Sequence, residues 1–239
     1  MDVGGLRKGF HAVALQASKV LDKLVTRDAV AVVDWCRTVN AFVVGIDAPC
    51  KWSLTGRRRP CERELAGLGI SAFATPSWTI GQVHPFYGWM LNGAELFRQL
   101  APHYLLYEGR TPARDRVCFE TFPHAIGCAL AGETLSAKSK RIDRIRVLHE
   151  SGIPTCFLEN IDEVDAALCA LTAFYFLAGT FKAYGDETEG HIVVPSVPMS
   201  PHWPRKTIRL RRKPPPVLIV KRRMVGPSNS SKPRIHRRR

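Results

Sequence analysis

Apolar residues follow two periods along this chain, and the switches between them mark its elements. Residues 9–15 follow a Gly-rich bend and read as a strand, with Phe10, Ala12, Val13 and Leu15 in a β-forming run. Ahead of them, Asp2-Val3-Gly4-Gly5 reads as a strand end and a turn, and only Met1 precedes the acid. Either the sheet begins short or the true start lies upstream. Residues 20–25 admit a third strand or part of a helix. Ala29, Val32, Val33, Trp35 and Cys36 recur at helical spacing and predict a helix over 28–39, with Asp28 near its N-terminus. The run Phe42-Val43-Val44-Gly45-Ile46 then reads as a buried strand that ends in Asp47 and is stopped by Pro49. Open α/β sheets present reactive groups in this way, at strand tips.

From residue 49 to about 102 the pattern is irregular. A basic loop enters a short helix over 56–65, a turn follows at 74–77, and 85–100 is amphipathic. The stretch is too long for an ordinary connection and is expected to be an insertion over about 50–102, serving as a lid or substrate wall. Strands are predicted at 103–108 and 116–121. Pro123 fits the first position of a helix over 123–130. A basic helix over 136–151 ends at Gly152, Asn160 caps a long helix over 161–179, and 191–195 is a last strand. Strands and helices interleave, so the fold class is α/β.

Composition adjusts this picture in three places. The 239 residues suffice for one sizeable core, and no apolar run approaches the roughly 18 residues that span a membrane. No signal-peptide pattern opens the chain, and the seven cysteines include no C-x-x-C pair. Reduced thiols in the cytoplasm are expected, and a zinc site is disfavoured. The net charge of +14 is local: residues 196–239 hold 14 of the 35 basic residues and none of the 21 acidic ones. Residues 1–195 therefore balance 21 basic against 21 acidic groups. The body carries no general electrostatic case for nucleic acid, and the Pro-rich basic tail is expected to be disordered.

The candidate chemistry is carboxylate chemistry. Asp162 and Asp165 lie three apart at the start of the last long helix, projecting from one side of its first turns. Ala166, Cys169 and Ala173 continue that side and let the helix lie close to a sheet. Such acids repel and raise each other's pKa unless cations neutralise them. Asp2, Asp47, Glu120 and Asp165, with Asp162 as a possible fifth, match what two divalent ions need to act on a phosphodiester. Mg²⁺ or Mn²⁺ is the expected cofactor. Arg57, Arg58 and Arg63, in the basic loop with Arg59, are candidates to hold substrate phosphates, and Lys8 is a further one.

Two resemblances sharpen this. The segment Asp162-x-x-Asp165-Ala with the following Ala-Leu-Thr-Ala resembles the final catalytic helix of RuvC-type junction resolvases, and Asp2-x-Gly-Gly resembles the first-strand acid of that fold. More closely, residues 1–195 resemble the bacterial domain-of-unknown-function family four-two-nine, described as predicted nucleases. The segments that carry this are Gly45-Ile46-Asp47-Ala48-Pro49, Gly56-Arg57-Arg58 with Cys61-Glu62-Arg63, Phe86-Tyr87-Gly88-Trp89-Met90, Phe119-Glu120-Thr121-Phe122-Pro123-His124-Ala125 and Asn160-Ile161-Asp162-x-x-Asp165-Ala166. The resemblance implies an RNase H-like mixed five-stranded sheet with helices on both faces. It also implies a divalent-metal-dependent nuclease acting on nucleic acid or a nucleotide. The alternative is a non-catalytic nucleotide- or nucleic-acid-binding module on the same fold.

Overall fold

The computed structural model describes residues 1–16, 18–110 and 115–196. The expected tail lies, from residue 197 on, outside the described residues. The first strand, β1 (Asp2–Val3), is as short as the sequence implies. It pairs antiparallel with β2 (Phe10–Gln16), which pairs antiparallel with β3 (Lys19–Thr26). The ambiguous segment at 20–25 is thus a strand, because pairing along the whole of β2 outweighs its weak local preference.

Helix α1 (Ala29–Thr38) begins at Asp28, whose carboxylate accepts from Val30 N. It leads into β4 (Val43–Ile46). One parallel bridge, Asp2 to Asp47, joins β4 to β1, and Asp47 N donates to Met1 O at 2.9 Å. On its other side β4 runs parallel to β6 (Val117–Glu120). The far edge of β6 is shared by β5 (Leu105–Leu106) near its start and β8 (Gly190–Pro195) at its end. The strand predicted over 103–108 is therefore reduced to two residues. A strand that the periodicity left unassigned, β7 (Phe181–Asp186), pairs antiparallel with β8 as a hairpin. The result is a mixed α/β fold: a five-stranded mixed sheet joined through the Asp2–Asp47 bridge to a three-stranded one.

Helices cover both faces. In β4 and β6, Val44, Ile46 and Cys118 pack with α1 and with α4 (Gly88–Leu100), where Leu96 and Leu100 are fully buried. The segment expected as an insertion thus contributes to the core in both halves. Its second half supplies α4, and in its first half α2 (Pro60–Gly67) buries Cys61 and Leu65 against β7 and β8, with the single turn α3 (Trp78–Gly81) between the two helices. The opposite face carries α7 (Ile161–Leu177), flanked by α5 (Pro123–Ala131) and α6 (Lys140–Glu150).

Eleven residues of α7 are buried, on nearly every side, as befits a helix between a sheet and other helices. Fully burying a side chain such as Leu168 contributes about 1.5–3 kcal/mol. The helix crosses β4 where the strand has glycine: a Cβ on Gly45 would stand 2.7 Å from Cys169 O. The run of small residues read from the sequence therefore meets a strand position without a side chain. That close crossing carries the N-terminal acids of α7 to the strand tips. Among the described residues, no helix is long and apolar enough to cross a membrane.

Candidate metal centre

Strand alternation decides which acids meet. Gly45 faces α7, so Asp47, two residues on, faces α7 as well, and its bridge partner Asp2 does the same. Helix α7 supplies Asp162 and Asp165 above them. Asn160 sets its start, accepting at Oδ1 from Asp162 N at 3.0 Å and Glu163 N at 2.9 Å. All four carboxylates line one cavity of about 230 Å³.

Burial and mutual repulsion act on these acids together. Burial pushes Asp2 up to about 6, with Lys8 opposing the rise and Asp165 and Asp162 adding to it. Burial, then Asp2 and Asp165, hold Asp47 well above the usual carboxylate range. Asp165 is also raised by burial, against the pull of Arg144. Among the described residues, the buried Oδ2 of Asp2 has no hydrogen-bond partner. Buried polar atoms are almost always paired, so this oxygen is available to a cation.

Among the described residues, three basic side chains reach the acids. Lys8 Nζ donates to Asp162 Oδ1 at 2.5 Å and stands 3.8 Å from Asp2 Oδ2. From α6, Arg144 pairs with Asp165, and Lys140 Nζ lies 3.8 Å from its second oxygen. The basic helix is therefore not only a solvated face: Arg144 is 6% exposed and turned inward. Its spacing gave no hint of this, because Ile142, Ile145 and Leu148 explain the same helix as ordinarily amphipathic.

Glu120 lies apart from the four aspartates. Its register partner is Ile46, so alternation sends it to the opposite face from Asp47. There Arg59 grips both its oxygens, Nη1 to Oε2 at 2.9 Å and Nη2 to Oε1 at 2.6 Å, and Cys50 N donates to Oε2 at 2.8 Å. Arg59 Nε also donates to Glu62 at 2.9 Å, and Glu62 accepts from Thr75. Glu120 lines the same cavity, but as the anchor of a buried ion network that fixes the 50–75 segment to the sheet.

Of the basic loop, Arg57, Arg58 and Arg63 are exposed and none lines the cavity, whereas Arg59 does. Arg59 differs because Glu62, in the first turn of α2, accepts from its backbone N at 3.0 Å, and the Glu62 and Glu120 carboxylates hold its guanidinium inward. Phe73 and Trp89 complete an apolar wall.

A family model described as "Protein of unknown function (DUF429)" matches residues 1–189. The chain belongs to the DUF429 family. The match covers every residue of the centre in this DUF429 protein, from Asp2 to Asp165. No curated protein and no solved structure matches the chain.

Proposed function

We propose that this protein is a divalent-metal-dependent nuclease or phosphodiesterase of RNase H-like fold, acting on nucleic acid or a nucleotide in the cytoplasm. The observation that carries the reading is the convergence of Asp2, Asp47, Asp162 and Asp165, from two strands and a helix, on one cavity. The strand order β3-β2-β1-β4-β6, with β2 antiparallel to its neighbours, is compatible with that fold. Seven free cysteines are compatible with a reducing compartment.

The donor set fits Mg²⁺ or Mn²⁺, which take carboxylate and water oxygens. A bound ion would supply charge stabilisation to a phosphodiester. Asp2, Asp47, Asp162 and Asp165 would hold it. Arg144 and Lys140, which reach Asp165, would orient a phosphate in place of Arg57, Arg58 and Arg63. Glu120 would keep Arg59 and the cavity wall in position.

The test is hydrolysis of single-stranded and duplex DNA, RNA and a chromogenic phosphodiester, with Mg²⁺, Mn²⁺ or chelator. Metal-dependent cleavage is expected, and its loss in Asp47→Asn. A folded protein that cleaves none of these under either ion would refute the reading. The binding-module alternative draws on the Arg144–Asp165 pair, which already neutralises one acid. It predicts thermal shifts with nucleotides or nucleic acid and no turnover.

A further inference from the structure

His11 stands across from Asp2 in the register of β1 and β2, so the two side chains rise from the same face of the sheet. That face is the one α7 covers: Val13, two residues along, packs in the core with Ala166 and Leu168. His11 is 8% exposed and Asp2 7%. Each holds a buried polar atom without a hydrogen-bond partner among the described residues, Nδ1 in His11 and Oδ2 in Asp2. Asp162 comes down on the pair from the first turn of α7. One donor atom from each of Asp2, His11 and Asp162 lies within 4.8 Å of the others.

We infer that Asp2, His11 and Asp162 form a mixed nitrogen–oxygen site for a first-row transition ion of the Mn²⁺ or Zn²⁺ class, and that this site discriminates against Mg²⁺. The inference rests on the reading of this cavity as a metal centre and narrows its ion. Two carboxylates and an imidazole are three protein donors, which leaves positions for water or substrate oxygen. Mg²⁺ favours oxygen donors and keeps its waters, whereas imidazole suits Zn²⁺, Fe²⁺ and their neighbours.

Two features favour an ion over a purely structural cluster. The unpartnered atoms of His11 and Asp2 belong to residues that sit opposite one another and yet do not bond to each other. In addition, a cation already stands near two of the three donors: the Lys8 ammonium, 2.5 Å from Asp162 and 3.8 Å from Asp2. Its side chain is 47% exposed and can swing outward as an ion enters.

The experiment is calorimetric titration of the chelator-treated full-length chain with MnCl₂ and MgCl₂, joined to electron spin-echo envelope modulation of the Mn²⁺-loaded protein. Mn²⁺ is expected to bind at least about tenfold more tightly than Mg²⁺, with a ¹⁴N coupling in the echo spectrum. His11→Gln is expected to lose the coupling and about 10–100-fold in Mn²⁺ affinity, with little change for Mg²⁺. Because His11 is buried, the coupling in the unaltered protein is decisive even if the variant does not fold. Mn²⁺ bound without nitrogen coupling, or equal affinity for both ions, overturns the inference. Hydrolysis of phosphodiesters with nitrogen-free Mn²⁺ would leave the nuclease reading standing while this site falls. Nitrogen-coupled Mn²⁺ without hydrolysis would do the reverse.

Discussion

Replacing Asp2 by asparagine should stabilise the metal-free protein at neutral pH. The Asp2 carboxyl is pushed from 3.8 to about 6 by burial, with Lys8 opposing. A raised folded pKa means that the fold binds the proton more tightly than the unfolded chain does. Stability from this group is therefore fully present below about pH 3.8 and is lost as pH rises through about 6. The shift of about 2 units corresponds to roughly 3 kcal/mol at pH 7.5 and to under about 1 kcal/mol at pH 4. Asparagine is a neutral side chain of the same shape, and among the described residues Asp2 makes no side-chain hydrogen bond for it to lose. The expected gain is about 2–3 kcal/mol in chelator at neutral pH, or roughly 4–12 °C in Tm for a chain of this size. The assay is thermal unfolding followed by circular dichroism, at both pH values, with chelator and with excess Mn²⁺. In Mn²⁺ the order should narrow or invert, because an ion at about 100 times its Kd adds about 2.7 kcal/mol to the protein that binds it. If Asp2→Asn is no more stable than the parent in chelator at neutral pH, the carboxyl is not held out of its ionised state and the electrostatic reasoning is wrong.

Other perturbations reach different parts of the molecule. Asp47→Asn should lower metal-dependent turnover by about 100-fold or more, since a misplaced ion forfeits several kcal/mol of transition-state stabilisation; kcat on the chromogenic diester reads it, and an undiminished kcat would remove Asp47 from the centre. Lys8→Gln should tighten Mn²⁺ binding a few-fold in calorimetry, in line with the ~0–1 kcal/mol of a half-exposed ion pair that no longer competes, and weaker binding would contradict the competition. Arg59→Met strands Glu62 and Glu120 in the interior and should cost about 3–5 kcal/mol in urea unfolding; a cost below about 1 kcal/mol would show that the network adds little. Gly45→Ala sets a methyl 2.7 Å from Cys169 O. The expected loss is about 1–3 kcal/mol in stability, and turnover should fall as α7 is pushed away from the strand tips.

The elements themselves were largely legible, because strand and helix periods are local properties of a sequence. Asp28 and Asn160 announced their helices and do cap them. Asp2, Asp47, Asp162 and Asp165 were each readable as acids at strand tips or in the first two turns of a helix, and they line one cavity. Even the small-residue side of α7 was visible, and it predicted the close approach that Gly45 permits. What could not be read was which neighbours each acid would have. Glu120 looks like Asp47 in sequence, an acid at the end of a β-run, yet a one-residue difference in register turns it to the other face and into the grip of Arg59. Arg57, Arg58 and Arg59 are equivalent in composition, and only the carboxylates of Glu62 and Glu120 draw the last of them into the interior.

His11 and Arg144 came from elements that the periodicity explained without them. Their roles arise because β2 folds back antiparallel on Asp2 and α6 packs against α7. Local pattern is written in residues a few positions apart, so the sequence by itself determined the strands, the helices and the supply of acids. Charge pairing and shared coordination depend on distances between residues 9 to 160 positions apart, and those were decided only when the sheet register and the crossing of α7 over β4 placed them together.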